Sequence, residues 1–263
     1  MKIGIIGCGN MGGAIIKGIL KKGIFKPDEI IASDIEKEKL KALEDELKIK
    51  TTQNNLEVFP FADGIILAIK PYHMGDLLEQ IKQGVKGHHI ISIAAGIKTG
   101  FIEERLNNAR IIRVMPNMPC LISCGISAIA KGKYADDSDV SFAKMIFFAL
   151  GDVVEVDENL IDAVTALSGS GPAYIFVIID ALISVGVKMG LSRDISERLV
   201  LTTISGSVLM MKQTKKHPAE LRDMVTSPGG TTMAAIEVME KENLSGIIWK
   251  AVLSAEKRAK ELG

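Results

Sequence analysis

Short apolar runs alternate with amphipathic stretches through residues 1–152, and this alternation constrains the fold more than any other feature. The runs are rich in β-branched residues and end in polar residues or glycine, which is typical of strands buried in a parallel sheet. The alternation therefore predicts βαβ units and a doubly wound sheet. Amphipathic helices are predicted at stretches such as Met11–Lys22 and Ile35–Leu47. Strands are predicted at Ile3–Ile6, Ile30–Ser33, Gly64–Ile69, His89–Ile93 and Ile111–Val114, with Ile126–Ala130 and Val153–Val156 as candidates to extend the sheet.

Helical patterns replace the strand patterns from about Asn159 onward. This change predicts two domains, residues 1–152 and residues 153–263. Asp194 followed by Glu197 fits a capping box at the start of one helix. The predicted helices are Leu160–Leu167, Pro172–Met189, Asp194–Lys212, Pro218–Val225, Thr231–Lys241 and Ser245–Leu262.

The helices of the second half are apolar on more than one face, as Asp194–Lys212 illustrates best. A helix that is hydrophobic around much of its circumference has to be buried on several sides. A domain of this size cannot easily hide so much apolar surface by itself. We therefore expect this half to pack against its copy in another subunit.

Charge and cysteine content argue against several classes of protein. Lys and Arg together number 32, as do Asp and Glu, so the formal net charge is +0 and no basic stripe indicates nucleic acid binding. Three cysteines are too few for a disulfide framework, and Cys120 and Cys124 lack the further ligands of a zinc site. Met1 leads almost directly into the first strand, so we expect no signal peptide and a cytoplasmic protein. The apolar run Ala173–Val187 is interrupted by Asp180 and is shorter than the ~20 residues of a membrane span, so we expect a buried helix there.

A G-x-G-x-x-G motif, Gly7-Cys8-Gly9-Asn10-Met11-Gly12, follows the first predicted strand and opens a helix. In this context Gly7 permits the tight turn, Gly9 lets the backbone approach a pyrophosphate, and Gly12 allows close packing of helix on strand. The helix N-terminus, with Asn10 and Met11, offers N–H groups and a partial positive charge to the phosphates. The motif predicts an N-terminal Rossmann domain that binds NADPH or NADH. Together with the helical patterns from about Asn159 onward, it predicts an α/β fold class with an all-α C-terminal domain.

Asp34 ends the second predicted strand, 22 residues after Gly12. A carboxylate at this place commonly accepts hydrogen bonds from the adenosine ribose diol, which favours NAD. Ser33, Lys37 and Lys39 are instead suited to a 2′-phosphate. Spacing alone therefore leaves the choice between NADH and NADPH open.

Further residues near the carboxyl ends of the strands should line the same crevice, where ligands bind in such folds. Asn54, in a loop, is a plausible contact to the adenosine ribose. Lys70 is expected to position the cofactor rather than to catalyse, because Pro71 fixes its loop. Together the predicted contacts beyond the motif and Ser33–Asp34 are Asn54, Ala68, Lys70, Pro71, Ala94 and Ala95.

A second candidate site lies in Thr226-Ser227-Pro228-Gly229-Gly230-Thr231-Thr232, between two predicted helices. Ser227 and the N–H groups of Gly230, Thr231 and Thr232 suit a small carboxylate at a helix N-terminus. Val225 would provide an apolar wall. An ordinary turn that leads into an N-capped helix is the alternative interpretation.

Together these motifs resemble those of the pyrroline-5-carboxylate reductase family over nearly the whole chain. The resemblance implies NAD(P)H-dependent reduction of the cyclic imine Δ1-pyrroline-5-carboxylate to L-proline, the last step of proline biosynthesis. It also implies helical domains that interlock in a dimer, and assembly of dimers into larger rings. The motifs that carry it are Gly7–Gly12, Ala68–Pro71, Ser92–Gly96, Val114–Pro119, and the more specific Asp162–Tyr174 and Asp223–Thr232.

The resemblance also implies that the Thr232 hydroxyl hydrogen-bonds the imine nitrogen, which makes it the candidate catalytic donor. A β-hydroxyacid dehydrogenase with Lys188 as acid or base is the nearest alternative, although the surrounding residues do not match the lysine motif of that family. A non-catalytic NAD(P)-binding protein is the alternative from a different class.

Overall fold

The computed structural model describes residues 1–262 and divides into two compact units. The first comprises Met1–Pro172 together with the residues from Ala255 onward, and the second comprises Ala173–Ser254. This division lies later in the chain than the predicted boundary after residue 152. Ile161 of the first helical segment is fully buried in a small core cluster with Ala128 and Ala130, which joins that segment to the first unit.

A single sheet of eight strands, counted within residues 1–262, forms the centre of the first unit. Its order is β3-β2-β1-β4-β5-β6-β7-β8. Strands β1 to β6 are parallel, β7 is antiparallel to β6, and β8 is parallel to β7. The strand order reverses at β1, between β2 and β4, and this is the crevice where doubly wound sheets bind ligands. The strands are β1 (Ile3–Ile6), β2 (Ile30–Ser33), β3 (Lys50–Thr52), β4 (Gly64–Leu67), β5 (His89–Ser92), β6 (Ile111–Pro116), β7 (Gly125–Lys131) and β8 (Gly151–Glu155).

The strands confirm the predicted α/β fold class, with one additional strand and several shifted bounds. Strand β3 was not predicted, because Lys50-Thr51-Thr52 is short and polar and lies at the edge of the sheet. Strand β6 extends to Pro116, where its last residues pair with β7. The predicted strands that end at Ile69 and Ile93 stop at Leu67 and Ser92, where the ladder with the neighbouring strand ends.

Helices cover both faces of the sheet and bury separate apolar clusters. Ile15 and Ile19 of α1 pack in the same cluster as Phe142 of α5, whereas Leu78 of α3 and Ile102 of α4 belong to the other cluster. The first unit is thus a three-layer sandwich built around a buried parallel sheet. The helices of these layers are α1 (Asn10–Lys21), α2 (Lys37–Leu47), α3 (Met74–Ile81), α4 (Thr99–Arg105) and α5 (Asp137–Phe147).

All six helices predicted after residue 159 are present. The first is α6 (Ile161–Val164), which continues as a π-helical turn at Thr165–Gly169. The prediction of a capping box at Asp194 was wrong, because the helix begins one residue earlier and the Ser192 hydroxyl accepts the Ile195 N–H at 3.3 Å. The others are α7 (Gly171–Lys188), α8 (Arg193–Thr214), α9 (Pro218–Met224), α10 (Thr231–Lys241) and α11 (Leu244–Leu262).

These helices leave large apolar side chains exposed in the single chain. Val177 of α7 is 70% exposed and Trp249 of α11 is 73% exposed, and many residues of α8 are similar. Residues Glu158–Lys188 are long and apolar enough to cross a membrane by length and composition alone, and few of them are buried. The expected burial of the run Ala173–Val187 is therefore wrong for one chain, and its apolar surface needs a cover that the chain itself does not supply.

Asp139, at the start of α5, is the most deeply buried of the hydrogen-bonded carboxylates in the first unit. Its side chain is 1% exposed, and its Oδ1 lies 2.5 Å from His89 Nδ1. Its Oδ2 accepts the N–H of Asp136, the N-cap residue of the same helix, at 2.8 Å. Loss of its charge would weaken both contacts at a position that water does not reach.

We expect Asp139→Asn to lower the free energy of unfolding by about 1–3 kcal/mol, because a buried hydrogen-bonded charge is lost. Asp137→Asn is the matched control: this side chain is 97% exposed and, within residues 1–262, forms an ion pair with Lys131 alone. The loss for this variant should stay within about 0.5 kcal/mol. Urea unfolding of both variants at one protein concentration measures the difference. Equal losses would show that the Asp139 contacts contribute no special stability.

Candidate functional site

The turn between β1 and α1 requires glycine at two places. Gly7 has φ of +100°, and a Cβ on it would lie 2.5 Å from the carbonyl oxygen of Ala68. A Cβ on Gly12 would overlap the carbonyl oxygen of Gly7. Both glycines therefore serve the packing of the protein itself, since the chain passes here between the first helix and the end of β4.

Gly9 differs from its two neighbours in the motif. It is the N-cap of α1, no side chain caps the helix there, and the first turn carries no acidic residue. A Cβ on Gly9 would meet no atom within 4 Å. The protein thus leaves open space in front of a helix N-terminus, beside Asn10 and Met11, and this arrangement fits the pyrophosphate of a dinucleotide.

Asp34 lies directly beside this turn, at the end of β2. Its Oδ2 accepts the Cys8 N–H at 2.6 Å and its Oδ1 accepts the Glu36 N–H at 2.9 Å. Burial raises the pKa of the Cys8 thiol to about 12, and the negative charge of Asp34 adds to this effect. The Cys8 thiol therefore stays neutral and packs in the core, with its Sγ 3.5 Å from the Ser33 carbonyl oxygen.

Two predicted contacts on the ribose side already have partners within the protein. Ser33 is fully buried, and its hydroxyl donates to Asn55 Oδ1 at 2.6 Å, so it faces the interior. Asn54 accepts the Leu56 N–H at 3.1 Å and caps a short 3-10 turn. Asn55, which the sequence did not single out, also donates to Gln80 at 2.9 Å.

The remaining cofactor-side candidates follow β4 and β5, on the same edge of the sheet. The Ala68 N–H donates to the carbonyl of Ile6 at 2.8 Å, which ties this segment to the turn at Gly7. Lys70 is exposed and precedes a 3-10 turn that begins at Pro71. Ala94 is buried, whereas Ala95 is exposed. The topology therefore brings the ends of β1, β2, β4 and β5 to one crevice, as predicted.

Glu158 is a residue that the sequence did not single out, although it holds the segment after Ala95. Its carboxylate accepts the Thr99 N–H and the Thr99 hydroxyl, both at 2.7 Å, at the first turn of α4. It also lies 3.4 Å from the guanidinium of Arg113, whose side chain is 4% exposed. No local pattern reveals this contact, because the partners are 59 residues apart.

The second unit contains the loop from Val225 to Thr232. Helix α10 begins at Thr231 after the N-cap Gly230, with no side-chain cap and no acidic residue in its first turn. The N-cap is thus a glycine without a capping side chain, which leaves both the anion site and the ordinary turn as interpretations of this loop. The Ser227 hydroxyl lies beside Gly230, where a Cβ would come within 2.5 Å of it.

One part of the predicted carboxylate site is corrected by this loop. The Gly230 N–H donates to the Ser227 carbonyl at 3.0 Å and closes the turn, so it is not free for a ligand. Thr232 is partly buried and Val225 is 65% exposed. Lys188, the alternative acid or base, is the last residue of α7 and is exposed.

Comparison with known proteins matches both parts of the chain. The family model for pyrroline-5-carboxylate reductase dimerisation matches residues 158–262. A model described as NADP oxidoreductase, coenzyme F420-dependent, matches residues 2–96. The sheet, the glycine-rich turn and these matches define an NAD(P)-dependent oxidoreductase with a helical dimerisation domain.

Full-length relatives identify the family. The chain is 41% identical to a pyrroline-5-carboxylate reductase of Methanosarcina acetivorans and 39% identical to one of Synechocystis, in each case over 100% of this chain and 98% of the relative. The solved structure of Plasmodium falciparum pyrroline carboxylate reductase with NADP bound is similar with a TM-score of 0.91 and 34% identity, covering 100% of this chain and 98% of that one. The chain belongs to the pyrroline-5-carboxylate reductase family, which removes the hydroxyacid dehydrogenase and the non-catalytic alternatives.

Gly9 and Gly13 allow a matched test of the nucleotide site, because a Cβ on either meets no protein atom within 4 Å. We expect Gly9→Ala to fold normally but to weaken binding of NADH and NADPH at least about tenfold, since the methyl group enters the space at the helix N-terminus. Gly13→Ala should bind as the wild type does. Fluorescence titration of the reduced nucleotides measures both, and equal affinities for the two variants would contradict the assignment.

Proposed function

We propose that this chain catalyses the NAD(P)H-dependent reduction of Δ1-pyrroline-5-carboxylate to L-proline, the last step of proline biosynthesis. The observation that carries the proposal is the uncapped N-terminus of α10 beside the Ser227 hydroxyl, in a chain of this family. A small anion suits that place, and the substrate carries a carboxylate.

The cofactor, NADPH or NADH, supplies a hydride for the imine carbon when it is bound. The residues proposed to hold it are on the edge of the sheet around the turn at Gly7. The helix N-terminus at Asn10 and Met11 suits the pyrophosphate, and Asp34 suits the ribose. The remaining proposed contacts are Gly9, Ser33, Asn54, Ala68, Lys70, Pro71, Ala94 and Ala95, of which Ser33 would act through Asn55. Gly7 and Gly12 would contribute by shaping the turn that binds the pyrophosphate.

The loop of the second unit is proposed to bind the substrate. The Ser227 hydroxyl and the N–H groups of Thr231 and Thr232 would hold the carboxylate, because the positive end of a helix favours an anion. Gly230 would contribute the close turn that keeps Ser227 in place. Val225 would form an apolar wall against the ring.

Thr232 is proposed to hydrogen-bond the imine nitrogen, whose charge changes during reduction. A threonine hydroxyl is a poor acid in water. It would therefore either accept the N–H of a substrate that arrives as the iminium, and so orient it, or relay a proton from solvent to the nitrogen of the neutral imine. Lys188 has no part in this scheme.

We also propose how the chain assembles and where it works. The exposed apolar side chains of α7, α8 and α11 would be covered by a second copy, giving a dimer or a multiple of dimers. We further propose a cytoplasmic enzyme without a nucleic acid or membrane partner; the balanced charge gives no sign of a nucleic acid site. Residues 1–152 would form the cofactor domain, and residues 153–263 the domain for substrate and dimerisation.

The activity is tested directly with the purified protein. Addition of pyrroline-5-carboxylate should cause oxidation of NADPH or NADH, with proline as the product. The oxidation is measured as the loss of absorbance of the reduced nicotinamide. A 3-hydroxy acid with NAD is the control substrate and should give no turnover. Absence of turnover with both reduced cofactors would contradict the proposal.

Replacing Thr232 tests the proposed donor. One positioned donor lowers the activation barrier by about 2–4 kcal/mol. Thr232→Ala should therefore lower kcat roughly 30- to 900-fold. Thr232→Ser retains a hydroxyl and should keep most of the activity, and neither change should alter cofactor affinity. If Thr232→Ala loses cofactor binding instead, or if Thr232→Ser is equally inactive, the assigned role is wrong.

A further inference from the structure

We infer, on the basis of the proposed function, that this chain uses NADH in preference to NADPH and that Asp34 determines the preference. The two cofactors differ only in the 2′ position of the adenosine ribose, which carries a hydroxyl in NADH and a phosphate in NADPH. The residue that meets this position therefore decides between them. Asp34 ends β2 beside the glycine-rich turn, where that ribose binds in Rossmann domains.

The carboxylate of Asp34 is fixed in place by two backbone donors. Cys8 donates to Oδ2 at 2.6 Å, and Glu36 donates to Oδ1 at 2.9 Å. This contact is partly buried, so rotating Asp34 away would cost the Cys8 N–H a short hydrogen bond to a charged acceptor. Asp34 consequently cannot move aside to admit a phosphate without disturbing the turn that holds the cofactor.

A fixed carboxylate treats the two cofactors in opposite ways. Each carboxylate oxygen can accept a second hydrogen bond, so Asp34 can still accept from the 2′-hydroxyl of NADH. A 2′-phosphate offers no such donor and places like charges side by side, which disfavours NADPH.

One of the two neighbouring cations is already paired, which limits how far they can offset this repulsion. The ammonium of Lys39 is paired with Glu36 at 2.5 Å, so a 2′-phosphate would have to compete with that carboxylate for it. The Ser33 hydroxyl, a natural phosphate donor, is turned inward to Asn55. Lys37 forms no ion pair with any residue that the structure describes, which makes it the remaining side chain able to serve a 2′-phosphate.

Direct binding distinguishes the two cofactors without turnover. For the wild type, fluorescence titration should give a dissociation constant for NADH at least about tenfold below that for NADPH. This is the size expected for the repulsion between one pair of like charges near a surface. Asp34→Asn keeps an acceptor for Cys8 but removes the charge, and should bring the ratio of the two constants close to one, chiefly by tightening NADPH. Glu38→Gln is the matched control, because it removes an exposed acidic charge four residues along the chain, and its ratio should stay within about twofold of the wild type.

Lys37→Ala supplies a second variant that does not touch the turn. The inference expects equal small effects on NADH and NADPH, whereas a selective loss of NADPH affinity would show that a phosphate is bound at Lys37 and would overturn it. Wild-type protein that binds NADPH as tightly as NADH would overturn it as well, as would an equal shift from Glu38→Gln and Asp34→Asn.

Steady-state rates separate this inference from the proposed function. A higher kcat/KM with NADH than with NADPH, measured with pyrroline-5-carboxylate, supports both. Turnover that favours NADPH contradicts the preference alone. Tighter NADH binding without any turnover contradicts the proposed reaction and leaves the binding preference standing.

Discussion

Close packing of the turn at Gly7 against the end of β4 is the constraint on which the nucleotide-binding part depends. Strand β1 lies between β2 and β4, and the chain leaves it through a left-handed residue that comes within contact of the Ala68 carbonyl. This turn starts α1 immediately, so the helix N-terminus points its N–H groups to the point where the strand order reverses. Asp34 then closes the same turn from the side by accepting the Cys8 N–H.

Periodicity in the sequence predicts what depends on local pattern. The buried parallel strands and the six late helices were found because their apolar spacing is strong and their ends carry Gly, Pro or Asp. Strand β3 was not predicted, because its three residues are polar and become a strand only by pairing with β2. The antiparallel direction of β7 was not predicted either, because the pattern of one strand contains no information about the direction of its neighbour.

The candidate site divides in the same way. The residues of the glycine motif follow one another in the sequence, and so do those of the loop at Ser227–Thr232. Both segments could therefore be proposed as sites from the sequence alone. The inward turn of Ser33, the use of the Gly230 N–H to close its own turn, and the contact of Glu158 with Thr99 could not. Each of these contacts depends on which partner a polar group meets in the folded protein. The sequence does not show this, because a hydrogen-bonding group can pair with several kinds of partner.

The contact of Glu158 with Thr99 and Arg113 affects whether the nucleotide-binding part can be separated from the helical part. Arg113 is a buried cation in β6, and its carboxylate partners, Glu158 and Asp162, come from the opening of the helical part. A fragment cut at residue 152 would retain the cation and lose both anions, a costly state for a charge inside a core. If this nucleotide-binding part were joined to another helical domain, the first helical segment would have to stay with it. We therefore expect domain exchange in evolution to cut the chain after Asp162 rather than at the change in sequence pattern near residue 152.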